Sequence, residues 1–456
     1  MNAPQATSRD TALIDNAVRY LVATYSPGGA RVGWLMIASI FIEAWDLYAI
    51  AFVLIYISEV FHPSPLMLGL AAAATQGGAV VGALLGGWLS DRIGRRVVFL
   101  GTMILFIVVG LAQAFAPSMA VLVVLRFILG LPLGSDIANG YTYIMEAMPG
   151  GQREVMGNRW QFMFAVGEVV SIAVVALLVL SGISADLLWR IALGLGAVPA
   201  AVIFLFRTNL PETAVWLVQR GHFREAKRVS RQMYNDPLEL LPDADITVAR
   251  VPVSALLPHL RADKLRWRAT LFGWIACFAQ STEFSTFAFY IPVLFIMLGV
   301  SGPLGTALVL LALYSVAAVS GFIGPLLVPH IGQRMLSILG FAIVLAALIV
   351  AALAIFTDHL MVLPFAAAAM LWGHYWDAEN VMTIPAMVAG PAYRGTASGV
   401  AYVFVKLPSF LAIFLFPTLF GWIGKGNATL FTAIFPAIGL LAAIYVLPEL
   451  YGYKET

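Results

Sequence analysis

Twelve apolar runs, each long enough to cross a lipid bilayer, limit what this 456-residue chain can become. They lie near 33–57, 66–90, 97–116, 118–145, 157–181, 187–207, 270–298, 303–328, 335–356, 361–389, 396–423 and 428–448. A helix needs about 20 apolar residues to span the hydrocarbon. Lipid offers backbone groups no hydrogen bonds, so such runs must be helical. The composition agrees: 61% of residues are hydrophobic and 11% charged, against about 25% charged in soluble domains. The expected fold is an all-α membrane protein of twelve transmembrane helices. One long polar stretch, 208–269, separates the sixth run from the seventh, so the expected organisation is two pseudo-symmetric six-helix halves. The segments are an N-tail (1–31), an N-terminal half (32–207), a linker with short surface helices (208–269), a C-terminal half (270–448) and a C-tail (449–456).

Basic residues orient the spans, because Lys and Arg gather on the cytoplasmic side. With both termini cytoplasmic, all of the 26 Lys and Arg except Arg126, Arg190, Lys406 and Lys425 fall on the inner face, and only Lys425 falls outside. The expected location is the cell membrane, multi-pass, in contact with the bilayer. No cleavable signal peptide is visible. The net charge of +2 points to no nucleic-acid partner, and the single cysteine, Cys277, can form no internal disulfide. In the linker, Trp216, Leu217, Phe223, Ala226 and Val229 recur at helical spacing beside Arg220, Arg224, Lys227, Arg228 and Arg231. That pattern predicts a short helix along the membrane face.

Gly87-Trp88-Leu89-Ser90-Asp91-Arg92-Ile93-Gly94-Arg95-Arg96 sits between the second and third runs and must be a tight loop at a membrane face. It resembles the signature loop of the major facilitator superfamily of secondary transporters. Trp189-Arg190, the run at 193–199, Pro211-Glu212-Thr213-Ala214-Val215-Trp216-Leu217, Glu146 through Arg153 and Pro448-Glu449 with Gly452 resemble that superfamily's sugar-porter branch. Glu43 to Ile50, Arg126 to Asp136, and Arg394-Gly395-Thr396-Ala397-Ser398-Gly399 followed by Lys406 resemble proton-coupled phosphate symporters, although Ile137 and Ala378 stand where those carry a tyrosine and an asparagine. The resemblance implies alternating access between the two halves, with a site near mid-membrane. It also implies a cytoplasmic gate built from Gly87, Asp91, Arg92, Gly94, Arg95, Arg96, Glu146, Arg153, Glu212 and Arg394. The counterpart loop, Pro329 to Arg334, lacks the aspartate, and Met387 replaces a glutamate, so the gate should rest mainly on the N-terminal half.

Charges inside the spans are costly and are functional by default. Asp46 in span 1 and Arg126 in span 4 are the candidate proton switch, the alternative being a static pair. Glu43, three residues before Asp46, shares its helical face, as a second proton site or as a group that only hydrogen-bonds near the cavity. Asp136 lies ten residues beyond Arg126, roughly 15 Å along a helix, as a second proton carrier, a substrate contact or a partner for Lys406. Lys406 must meet a negative charge, supplied by an anionic substrate or by Asp136. Gln161 and Glu168 in span 5, Gln280 and Ser285 in span 7, and Trp376 and Asn380 in span 10 are further candidate substrate residues, since amides and hydroxyls offer paired donors and acceptors; helix packing is their bland alternative.

No nucleotide-binding loop appears, and no metal cluster, cofactor motif or catalytic constellation is apparent. The expected activity is a proton-coupled symporter, in a monomer, for a small polar solute, an anion such as phosphate or an organic acid. The alternatives are a sugar or polyol symporter and a membrane receptor that binds solute without moving it.

Overall fold

The computed structural model describes residues 7–300 and 302–453. Lys454, counted above among the inner-face basic residues, lies outside them. Helix α1 (Ser8–Ala23) precedes a first bundle of α2 (Gly29–Phe61), α3 (Pro65–Ile93), α4 (Arg95–Gln113), α5 (Met119–Ala147), α6 (Gln152–Asn158), α7 (Trp160–Leu180), α8 (Ala185–Gly194) and α9 (Ala197–Arg207). The linker forms α10 (Ala214–Gln219), α11 (Phe223–Tyr234) and α12 (Leu256–Ala262). The second bundle holds α13 (Lys264–Met297), α14 (Gly302–Phe356), α15 (Leu363–Asp377), α16 (Glu379–Val388), α17 (Arg394–Ile423), α18 (Lys425–Thr432) and α19 (Ile434–Tyr445).

Nine helical stretches among the described residues are long and apolar enough to cross a membrane. Several of the expected spans are joined or divided differently. Helix α14 runs through two expected spans and bends at Gly332, whose φ of 80° breaks the helical path. Span 10 is divided at Ala378 into α15 and α16. With α13 and the α15–α16 pair added to the nine, and α14 counted twice, the twelve-span expectation is met.

The two bundles meet where α3 lies along α17 and α7 along α14. At α3–α17 the surface is thinned to glycine. A Cβ on Gly87 would lie 2.3 Å from the Gly395 carbonyl oxygen, and one on Gly399 would lie 2.3 Å from that of Ala83. Small residues let helix backbones approach this closely.

The linker departs from expectation. Helix α11 is amphipathic, but its apolar face, Phe223, Ala226, Val229 and Met233, is buried in the same core as Ile14, Ala17, Val18 and Leu21 of α1. Ser26 Oγ donates to the Met233 carbonyl at 3.0 Å, and Tyr234 to that of Glu146 at 3.1 Å. Protein, not lipid, therefore covers the face whose periodicity was legible in sequence.

Candidate functional site

Asp46 on α2 and Arg126 on α5 form a two-pronged pair, with both N–O distances 3.1 Å and both side chains buried. The rest of the guanidinium is also engaged: Nε donates to the Ala71 carbonyl at 2.7 Å and Nη1 to Gln113 at 3.3 Å. Such saturation is what a buried charge requires.

Lys406 on α17 ion-pairs with Glu43 of α2, and Tyr402, four residues earlier on the same helix face, donates to the other Glu43 oxygen. This corrects the expected partner. Asp136 does not meet Lys406; it accepts from Arg207 at 2.7 Å and from Thr102 at 3.1 Å. Arg207 ends the sixth run and was counted in sequence with the linker's basic residues. It instead folds back to the Leu35 and Met36 carbonyls and to Ser39. Asp136 is thus held inside the first bundle, whereas Glu43–Lys406 joins the two bundles.

A narrow cavity of about 40 Å³ lies beside this cross-bundle pair. Its wall includes Glu43, Gln76, Gln161, Gln280, Ser281, Ser285, His374, Tyr402, Lys406 and Ser409, with Trp160, Phe164 and Phe284 supplying aromatic faces. The volume suits a few water molecules, so a larger solute requires the bundles to part. Ser285 donates to Ser409 at 2.9 Å, and Ser281 and Ser409 share a 2.6 Å bond, tying α13 to α17. The Gln76 side-chain amide oxygen is buried with no hydrogen-bond partner among the described residues.

Three expected substrate residues lie elsewhere. Trp376 donates to the Ser320 carbonyl at 3.2 Å and packs α15 on α14. Asn380 is spent on the Gln333 carbonyl, on Ser337 and on Asn158. Glu168 accepts from Tyr375, beside the hydrogen-bonded pair Tyr48–Tyr314. Conversely, Gln76, Ser281, His374, Tyr402 and Ser409 were not singled out. For Tyr402 the signal was present, since it stands one helical turn before Lys406. A second cavity, of about 360 Å³ between α2, α7 and α14, has a mainly apolar wall and offers little to a polar solute.

The linker end is closed. Arg95 makes a double contact with Glu146, at 2.7 and 3.2 Å, and reaches Asp91 at 3.1 Å. Asp91 also crosses to the other bundle, accepting from the backbone N–H groups of Gly395 and Thr396 and from the Thr396 hydroxyl at 2.7–3.0 Å. Arg394 comes within 3.9 Å of Glu146, and Arg153 donates to the Tyr453 carbonyl at 2.9 Å. Glu154, not anticipated, accepts from Gly452 N–H at 3.2 Å. Arg96 donates to the Leu210 and Thr208 carbonyls, whereas Arg92 only stacks on Trp88. Gly94, with a φ of 104°, turns the loop.

Glu212 accepts from Arg96 N–H at 3.0 Å, and burial pushes its pKa up, opposed by nearby Arg95 and by backbone donors. Glu449 takes the equivalent place in the second bundle, accepting from Gln333 and Arg334 N–H at 3.0 and 3.1 Å beside Gly332. The two Pro-Glu pairs, Pro211-Glu212 and Pro448-Glu449, are thus structural equivalents. The carboxylates that cross between bundles at this end, Asp91 and Glu146, come from the first bundle, and the second supplies backbone N–H groups, the Thr396 hydroxyl and Arg394.

The profile of the family described as "Sugar (and other) transporter" matches residues 32–454. The putative metabolite transport protein YncC of Bacillus subtilis (strain 168) is 30% identical over 408 residues, covering 85% of this chain and 84% of that protein. A D-xylose transporter of Levilactobacillus brevis is 30% identical over 56% of this chain and 55% of its own. Among solved structures, the proton:xylose symporter XylE bound to 6-bromo-6-deoxy-D-glucose superposes with a TM-score of 0.75 at 21% identity, over 93% of this chain and 96% of that one. These findings support the sugar-porter resemblance and not the phosphate-symporter features.

Proposed function

We propose that this chain, which belongs to the sugar (and other) transporter family, is a proton-coupled symporter for a neutral sugar or polyol. Its family consists of transporters, not enzymes. The observation that carries the cargo reading is the Glu43–Lys406 pair. The one lysine in the cavity wall already has its counter-charge, so the cavity offers no unbalanced positive charge to an anion. The rest of the wall is amides, hydroxyls and aromatic faces, which suit a ring carrying many hydroxyls. The names of the relatives, which include xylose and arabinose transporters, favour the same cargo.

In this reading the linker end faces the cytoplasm, as the basic residues indicate, and the protein works as a monomer in the cell membrane. The cycle begins when Asp46 takes a proton from the outer side and loosens from Arg126. Neutralising one member of the pair changes which helix arrangement is cheapest in hydrocarbon. The bundles part at the outer end, sugar enters between Gln161, Gln280 and Lys406, and the bundles rock. The Asp91, Arg95, Glu146 and Arg394 cluster then opens to release sugar and proton inward. The test is uptake into proteoliposomes under an imposed pH gradient, across pentoses, hexoses, inositol, phosphate and organic acids. Accumulation of a sugar or polyol, driven by inward proton flow, is the expected result. Accumulation of phosphate or an organic acid alone would overturn the cargo reading, and indifference to the gradient would overturn symport.

A further inference from the structure

The second bundle buries three carboxylates for which no described Lys or Arg forms an ion pair. Glu283 stands midway along α13, Asp377 ends α15 and Glu379 begins α16, and all three are fully buried. His374 Nδ1 lies 3.3 Å from Glu283 Oε1 and 3.7 Å from Asp377 Oδ1. One polar side-chain atom from each of these three residues falls within 4.8 Å of the others. Among the described residues, the second Glu283 oxygen, both oxygens of Asp377 and both oxygens of Glu379 have no donor hydrogen-bonded to them.

The surroundings offer no compensation. Lys406 and Tyr402 of α17 are committed to Glu43. Tyr375 of α15 donates to Glu168 of α7. Helix α13 otherwise brings Cys277, whose thiol faces the Val381 carbonyl at 3.4 Å, and α5 brings Tyr141 within electrostatic reach of Glu379. Helix α14 presents glycine: a Cβ on Gly324 would lie 2.0 Å from Glu379 Oε1, and one on Gly340 would lie 2.3 Å from Asp377 N. Two facing carboxylates in so dry a place cannot both be ionised, because like charges close together in low dielectric are too costly. A proton held between them removes the cost. His374 also lines the central cavity, with its ring stacked on Phe284 at 4.4 Å, so the pair is one imidazole away from the substrate.

We propose that Glu283, Asp377 and His374 form a second proton-carrying site in the C-terminal bundle, filled and emptied through the central cavity. A hydronium in the cavity gives its proton to the His374 imidazole and leaves as water. The imidazole passes a proton from Nδ1 to a Glu283 carboxylate oxygen and returns to neutral. No electrons move and no other bond breaks. Loss of that proton sets two negative charges against each other next to the α15–α16 division, which favours a different seating of α16 near the linker end.

The proposal rests on proton symport and adds a second proton to it. Reversal potentials in proteoliposomes give the number of protons moved per sugar. The expected ratio is two in the wild type and one in Glu283→Gln and Asp377→Asn, a halving. A ratio of one in the wild type, or an unchanged ratio in either variant, overturns the second site. In Asp46→Asn, by contrast, the primary coupling is lost; unimpaired coupling there overturns the symport reading, so the two failures differ. Infrared difference spectra of purified protein give a readout independent of transport. A protonated-carboxyl carbonyl band at neutral pH should weaken in both variants, and its absence from the wild type overturns the proposal even if the variants fold poorly. Stoichiometric Co(II) binding that is lost in His374→Gln would mean a metal site instead and would also overturn it.

Discussion

Glu43 and Asp46 lie one helical turn apart on α2 yet answer to opposite bundles: Asp46 to Arg126 of the first, Glu43 to Lys406 of the second. A single helix therefore carries both an internal pair and the lock between bundles. Removing one partner of a buried pair strands the other and costs about 3–5 kcal/mol. Glu43→Gln should accordingly lower thermal stability, and Glu43→Gln combined with Lys406→Met should recover most of the loss, as read by melting temperature in detergent. Additive losses in the double variant would show that the two side chains are not coupled. Asp46→Asn should lose gradient-driven accumulation of sugar by more than tenfold, measured as uptake with and without a pH gradient. Both acids were legible in sequence because intramembrane carboxylates are rare. Arg126 was legible as the partner of Asp46, but the partners of Glu43 and Asp136 were not, because Lys406 and Arg207 are far from them in the chain and only packing brings each pair together.

At the scale of elements, the α3–α17 crossing is set by glycine. Gly87 reads in sequence as part of a signature loop, but it lies within α3, pressed on the Gly395 carbonyl. Gly87→Leu should force the helices apart at the linker end. We expect sugar uptake to fall severely and cysteines introduced near the linker end to become more accessible to a water-soluble thiol reagent; unchanged labelling would contradict the closing role of this crossing. The Pro-Glu pairs act on the neighbouring elements. Each glutamate caps the start of a helix whose preceding glycine turns the chain, Glu212 below α4 and Glu449 below the second stretch of α14. Removing a cap costs about 1 kcal/mol. Glu212→Ala should cost more than Glu449→Ala in melting temperature, because Glu212 also neighbours Arg95 in the buried cluster. Apolar periodicity located the spans, but it could not place the division at Ala378 or the fusion across Gly332, since both depend on neighbouring packing rather than on composition.

Taken as a whole, the molecule is closed at the linker end, touches along α3–α17, and leaves between the bundles only a narrow cavity of about 40 Å³. On the proposed function, a sugar must select a more open arrangement, and its binding should stabilise the protein by mass action. At a ligand concentration of 100 times Kd the gain is about 2.7 kcal/mol. A thermal-shift series with pentoses, hexoses and inositol should show a saturable rise in melting temperature that phosphate at equal ionic strength does not give. The sequence by itself determined that the chain is a helical membrane protein with six spans on each side of a polar linker. It determined its intramembrane acids and bases as well, because hydrocarbon penalises every polar group and so leaves a strong pattern in composition, while the transporter class was legible through the resemblance of the Gly87–Arg96 motif and the Pro211–Leu217 run to a known family. Only the tertiary structure decided which charge meets which. Ion pairing acts through space over a few ångströms, and the assignment of Lys406 to Glu43 rather than to Asp136 or a substrate anion follows from how α2 and α17 pack, a relation that spacing along the chain does not encode.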